Sequence, residues 1–216
     1  MKHTLEISGI RLLFGERLIL SDIYLTIETG EVVGLLGRNG CGKTSLMRVI
    51  LGVLPTEKSI ILDEKSLYEA YKHPELIRYL PQHNFIPKRL TLKRIFQDFA
   101  LDFSAFTVLF PEFTQRLKTK IGHLSGGMRR LVELYVIIKS PAKFVLLDEP
   151  FTHVSPKQID RVKTIIDEER ANKGFLVTDH LYRHIMEFSD RAYLMHQARL
   201  SQVIDINDLR TLKYIN

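Results

Sequence analysis

Short apolar segments alternate with amphipathic helical ones along this chain of 216 residues. Thr4 to Ile10 and Leu18 to Ile27 alternate apolar and polar positions, the pattern of half-buried strands, with a turn at Gly15-Glu16 between them. Glu31 to Leu36, Phe144 to Asp148 and Phe175 to Thr178 are mainly continuous apolar runs of strand length, which suits strands buried on both faces. Ser59 to Asp63 and Ile77 to Leu80 add two further strands. Helical spacing follows Gly42 to about Val53 (Leu46, Val49, Ile50). It recurs from Thr91 to Lys120, with Leu92, Ile95, Phe96 and Phe99 on one face, and again over Gly126 to Lys139 and Pro156 to Ala171. Pro156 stands near the first turn of its helix, where a missing N–H costs nothing. From Arg191 the pattern gives two short strands and a last helix near Asn207 to Leu212. Strands alternating with helices predict an α/β fold whose largely parallel sheet is covered on both faces.

No internal repeat, low-complexity stretch or linker divides the pattern, so the length suits one domain with a small subdomain. No apolar run is long enough to span a bilayer. Met1-Lys2-His3-Thr4 leads straight into a strand without a signal-peptide core, so the chain is expected to stay on the side where it is made. The single cysteine, Cys41, excludes an internal disulfide and suits a reducing compartment. The net charge of +6 is compatible with solvated lysines and arginines or with an anionic partner such as a membrane surface or nucleic acid. Charge alone does not separate the two.

Chemistry concentrates at three places. Gly37-Arg38-Asn39-Gly40-Cys41-Gly42-Lys43-Thr44, followed by Ser45, has the spacing of a phosphate-binding loop set between a strand and a helix. Its glycines let backbone N–H groups converge on phosphate oxygens, Lys43 is suited to the β- and γ-phosphates, and the Thr44 hydroxyl to magnesium. Cys41 reads as a small residue filling the loop. Asp148-Glu149 closes an apolar strand, where open α/β sheets bind ligands, so Asp148 is suited to hold magnesium and Glu149 to polarise an attacking water. Ser125-Gly126-Gly127, after Leu124 and ahead of Met128-Arg129-Arg130, opens a helix and forms either an ordinary loop or an anion-binding nest.

In this order the elements resemble the nucleotide-binding subunit of an ABC transporter, over about Leu5 to Asp205. Gln82, in Tyr79-Leu80-Pro81-Gln82, looks like that family's glutamine loop, and Leu124 to Gly127 like its signature. His180, in Val177-Thr178-Asp179-His180, looks like its switch histidine. The resemblance implies a P-loop NTPase core with a mostly parallel sheet, an N-terminal antiparallel β-subdomain and a small α-helical subdomain at about 84–140. It implies ATP and Mg2+ as ligands, with Lys43, Gln82, Glu149 and His180 catalytic and Thr44, Gln82 and Asp148 around the metal. Phe14, in Leu13-Phe14-Gly15, stands where the family often stacks an aromatic on adenine; as a bare residue it suits the core almost as well. Two cassettes, as a homodimer, would sandwich two nucleotides, with Ser125, Gly126 and Gly127 acting on the γ-phosphate held by the other copy. A transmembrane permease would be the partner, the location cytoplasmic and peripheral at the membrane, and no nucleic acid is expected.

Three departures accompany the resemblance. Met128 stands where the family usually has glutamine, and Ser155, in Thr152-His153-Val154-Ser155, where a loop usually ends in aspartate. Only Asn84 to about Leu117 is left for the helical subdomain, rich in phenylalanine (Phe96, Phe99, Phe103, Phe106, Phe110, Phe113). Two other functions compete: a soluble cassette ATPase acting on ribosomes or DNA, supported by the basic charge alone, and a nucleotide-binding module with weak turnover, motivated by Met128 and Ser155.

Overall fold

The computed structural model describes residues 2–179 and 182–215. Strands β1 (Thr4–Phe14) and β2 (Arg17–Glu28) form an antiparallel hairpin closed by Gly15-Glu16, with Phe14 opposite Arg17. With β4 (Glu57–Leu62) and the two-residue β5 (Lys65–Ser66) they make a four-stranded antiparallel sheet in the order β2-β1-β4-β5. The second sheet is built from β3 (Val32–Leu36), β6 (Ile77–Leu80), β7 (Phe144–Leu147), β8 (Gly174–Asp179), β9 (Arg191–His196) and β10 (Arg199–Val203), in the order β10-β9-β3-β8-β7-β6. All its pairings are parallel except that of β9 with β10.

Every residue of β3, β7 and β8 is buried, because layers cover the sheet on both sides. Successive residues go to different cores, as a period of two requires. Val32, Leu36, Val145, Leu147, Phe175 and Val177 pack with helices α4 (Gly126–Lys139) and α5 (Pro156–Glu169). Val33, Leu35, Phe144, Leu146 and Leu176 pack with helix α1 (Lys43–Leu51) and the antiparallel sheet. With both faces filled, only the strand ends are free to carry chemistry.

The stretch of helical spacing from Thr91 to Lys120 divides into helices α2 (Leu92–Asp98) and α3 (Phe103–Leu109), a 3₁₀ turn at Pro111–Phe113 and a returning segment. Local side-chain chemistry sets the breaks. The Thr91 hydroxyl accepts from the Arg94 N–H at 3.3 Å and the Asp102 carboxylate from the Ser104 N–H at 2.8 Å, each starting a helix. Pro111 then stops α3. The returning segment pairs with the one before α2, bridging Thr91 to Lys120 in antiparallel register. A helix the sequence pattern does not reveal, α6 (Tyr182–Phe188), buries only Ile185, too little to leave a periodic signal. Helix α7 (Ile206–Thr211) follows β10.

Phe106 is the hub of the helical segment. It is fully buried, with ring centroids of Phe96, Phe110, Phe113 and Tyr135 at 5.1, 5.1, 4.8 and 4.9 Å. Phe106→Ala is expected to cost about 3–5 kcal/mol in urea unfolding, the range for an emptied aromatic site. A loss below about 1 kcal/mol would mean that the neighbouring rings close the space.

Candidate nucleotide site

The phosphate loop leaves the end of β3 and enters α1 at Gly42, which has φ 116°. A β-carbon there would meet Leu20 Cδ2, Met195 Sδ and the Ile19 carbonyl at 3.1–3.2 Å, and the backbone angle would strain it further. Gly42 also brings no side-chain cap, so the first N–H groups of α1 stay directed at a ligand. They face a cleft of about 430 Å³ lined by Phe14, Asn39, Gly40, Gly42, Lys43, Thr44, Ser45, Gln82 and Glu149, together with Arg17 and Ile19. Phe14 is half exposed there rather than in the core.

Lys43 is buried and folds back over the loop, its Nζ donating to the Gly37 carbonyl at 2.7 Å and lying 4.0 Å from Glu149 Oε1. The loop's other members sit outside the cleft. Arg38 is exposed and donates to the Lys213 carbonyl at 3.0 Å. Cys41 packs against the core on the α1 side of the sheet, and burial pushes its thiol up despite the charge of Lys43. It is therefore a protonated filler.

Asp148 is fully buried at the end of β7. Its two oxygens accept from the Thr178 hydroxyl at 2.9 Å and the Tyr79 hydroxyl at 3.1 Å. Burial, and then the nearby Asp148 charge, push the Tyr79 phenol up, so it remains a donor. Glu149 has φ 45°, a left-handed backbone that costs on the order of 1–3 kcal/mol in a residue with a side chain. The Thr178 hydroxyl accepts the Glu149 N–H at 2.9 Å and holds it there. Gln82 Nε2 donates to Glu149 Oε2 at 2.8 Å, joining the glutamine to the acidic pair.

The sequence reading missed Arg130. It is buried, and its guanidinium donates to four carbonyls: Pro150 (3.1 Å), Pro81 (2.7 Å), Asp148 (2.9 Å) and Glu149 (3.0 Å). One turn on, Glu133 is fully buried, and its Oε1 accepts the N–H groups of Phe85 and Ile86 at 3.1 and 3.2 Å. Arg129 completes the tie by donating to Glu133 at 3.4 Å and to the Ile86 carbonyl. The available signal was a set of charges inside an otherwise apolar helix, with Arg129 and Glu133 four residues apart.

Ser125 and Gly126, at the start of α4, are exposed and do not reach the cleft. Gly126 instead borders a second hollow of about 390 Å³ with Gln82, His83, Asn84, Arg130, Thr152 and His153. Gly127 must be glycine, because a β-carbon would lie 2.4 Å from the His153 carbonyl. The candidate switch residue His180 lies outside the described residues; β8 ends at the buried Asp179 just before it.

The family model for the ABC transporter matches residues 20–152, which span the loop, Gln82, the signature and the acidic pair. The chain belongs to the ABC transporter family. It is 35% identical over 214 residues to the lipopolysaccharide export system ATP-binding protein LptB of Escherichia coli, covering 91% of this chain and 88% of that protein. The same-named protein of Haemophilus influenzae is 32% identical over 206 residues, covering 87% and 84%. An ATP-binding subunit of an ABC transporter of known structure superposes with a TM-score of 0.81 at 22% identity, over 97% of this chain and 93% of that one. A Pyrococcus furiosus ABC transporter ATP-binding protein gives 0.75 at 23% identity, over 90% and 98%. These two show the fold alone: the P-loop NTPase arrangement of this family. As a member, the chain is an ATP-binding subunit and an ATPase coupled to transport.

In this ABC subunit Arg130→Met should leave four strand-end carbonyls without their donor. We expect a destabilisation of about 2–4 kcal/mol and a fall in hydrolysis of at least about ten-fold, with Arg130→Lys restoring little because an ammonium cannot span the fork. Urea unfolding and phosphate release measured together check this. An Arg130→Met protein with unchanged turnover would remove Arg130 from any role in positioning the acidic pair.

Proposed function

We propose that this subunit binds Mg–ATP in the cleft between Phe14 and the 37–45 loop, and hydrolyses it only when a second copy closes the site. The observation that carries this reading is the separation of the two phosphate-binding elements. The loop, Gln82 and Glu149 share one cleft, while Ser125 and Gly126 face outward at the start of α4. A head-to-tail homodimer would bring Ser125, Gly126 and Gly127 of one copy to the γ-phosphate held by the other, through N–H groups and the helix dipole.

Each residue's role follows from its chemistry. Phe14 offers a π-face to adenine. The N–H groups of Gly37, Arg38, Asn39, Gly40, Cys41 and Gly42 and the first turn at Lys43, Thr44 and Ser45 cradle the phosphates, with Lys43 moving from the Gly37 carbonyl to the β- and γ-oxygens. The donor set fits magnesium: the Thr44 hydroxyl and the Gln82 amide line the cleft as hard oxygen ligands, the buried Asp148 carboxylate behind them would act directly or through water, and substrate phosphates and water would complete the shell. Among the described residues no group of three or more His, Cys, Asp or Glu could hold a metal by itself, in keeping with that shared coordination. Magnesium, when bound, neutralises charge between the β- and γ-phosphates. Glu149, tethered by Gln82, orients the attacking water and accepts its proton. His180 would contact the γ-phosphate and sense its presence.

No helix of the described residues is long and apolar enough to cross a membrane. We infer that a transmembrane permease carries the cargo and holds this subunit at the cytoplasmic face. Glu149→Gln is expected to slow hydrolysis at least about 100-fold and to trap an ATP-bound dimer, read by light scattering after gel filtration. A variant still monomeric at saturating ATP would overturn the sandwich. Ser125→Ala should cut turnover by about ten-fold or more, the loss of one charge-assisted hydrogen bond, while ATP affinity of the monomer stays within about two-fold. Loss of monomer affinity would place Ser125 in its own chain's site instead.

A further inference from the structure

The positive charge of this chain is not spread over its surface. Residues 83–139 hold ten Lys and Arg against four Asp and Glu, an excess of six that equals the excess of the whole chain, 31 against 25. The remaining residues balance at 21 against 21. Within the segment, all four acids are engaged elsewhere. Asp98 pairs with Arg94 at 2.7 Å, Asp102 caps α3, Glu112 holds Gln158 and Arg161, and Glu133 is buried with Arg129.

Six exposed cations are left: Lys88, Arg89, Lys93, Arg116, Lys118 and Lys120. None of them forms an ion pair among the described residues. The backbone gathers them, since the segment before α2 and the one returning after the 3₁₀ turn run antiparallel. Leu92 and Lys93 donate to the carbonyls of Thr119 and Leu117 at 3.0 and 2.7 Å, and Ile121 and Gly122 to those of Leu90 and Lys88 at 2.8 and 3.0 Å. Holding like charges on one short ladder costs self-repulsion, which an anionic surface would relieve.

We propose that this ladder is a membrane-docking patch that binds the phosphate headgroups of an anionic bilayer directly. Four of the six cations are lysines, point charges on flexible stems that suit a diffuse layer of phosphates better than a single matched carboxylate. Leu117 is exposed between Arg116 and Lys118, an apolar contact at headgroup depth that a nucleic acid would not reward. The patch supplements the permease as an anchor. The inference rests on the transporter reading, but its test uses no nucleotide and so stands or falls apart from that reading.

The test is co-sedimentation of the full chain with vesicles of phosphatidylcholine alone or with 30–40% phosphatidylglycerol (about that fraction gives a strongly negative surface). Binding should need the anionic lipid and fall away by about 0.5 M salt, where the Debye length is only a few ångströms. The triple variant Lys88→Gln, Lys118→Gln, Lys120→Gln should bind on the order of 100-fold more weakly, from about 1 kcal/mol per cation. A control triple at Lys157, Lys163 and Lys213 to Gln should bind as the parent does, and thermal unfolding of both variants verifies their fold. Equal vesicle binding by both triples, or none by the parent, would overturn the proposal. So would a patch variant that fails only to associate with the permease in neutral detergent, which would assign the cations to an acidic protein surface.

Discussion

One guanidinium holds the two halves of the site together. Parallel strands β6 and β7 end side by side, with Leu80 opposite Leu147, and beyond that point the carbonyls of Pro81, Asp148, Glu149 and Pro150 leave the ladder. Left without a partner, these acceptors, two in buried and two in half-buried bonds, would together cost about 2–4 kcal/mol. Arg130 satisfies them all with donors fixed in one plane, which a set of separate hydroxyls or amides would not do. Because Arg130 lies on the first turns of α4, the outward-facing serine and glycines, the glutamine loop and the acidic pair become one mechanical unit. A displacement of α4 must therefore reach Glu149.

The doubly covered sheet explains why the chemistry gathers at this edge. β3, β7 and β8 spend their apolar side chains on the two cores, so the chemistry gathers at and just past their C-terminal ends. Thr178 is the exception that shows the rule. It is the next-to-last residue of β8, and its hydroxyl both donates to Asp148 and accepts from Glu149, converting a strand end into a support for two carboxylates. Those two acids, adjacent in sequence, have opposite surroundings: Asp148 is buried between the Thr178 and Tyr79 hydroxyls, and Glu149 lines the cleft.

Much of this was legible in the sequence because the features are local. β6 and α4 fall on the residues their periodicity predicts, and the loop glycines, Lys43 and the Asp148-Glu149 pair announce themselves by spacing. The parallel sheet was readable from the alternation of strands with helices, and the family resemblance implied the antiparallel sheet beside it. The 91–120 region was not, since Thr91, Asp102 and Pro111 break helices within a run whose apolar spacing stays helical. Arg130 and Glu133 left only their charges within an apolar helix as a trace, for another reason. Their backbone partners, carbonyls for Arg130 and N–H groups for Glu133, lie 18 to 49 residues away, and no side-chain pattern encodes a backbone group.

The departures from the family pattern make physical sense in this setting. Met128 packs against the core on the α4 side, so the position serves α4 packing where a glutamine would offer a polar face. Ser155, in place of an aspartate, donates from both its N–H and its hydroxyl to Gln158 Oε1 at 3.2 and 2.9 Å. Gln158 in turn donates to Glu112, which also pairs with Arg161 at 3.7 Å. The start of α5 is thus tied to the 3₁₀ turn of the helical segment, a link within the chain where the family pattern has a free charge. Meanwhile the His153 carbonyl sits against Gly127, so the same loop braces the signature helix. Contacts inside one copy thus tie the loop after the acidic pair to both α4 and the helical segment. The helical segment, the signature and the loop after the acidic pair are thereby packed into one unit, with the basic ladder on its surface.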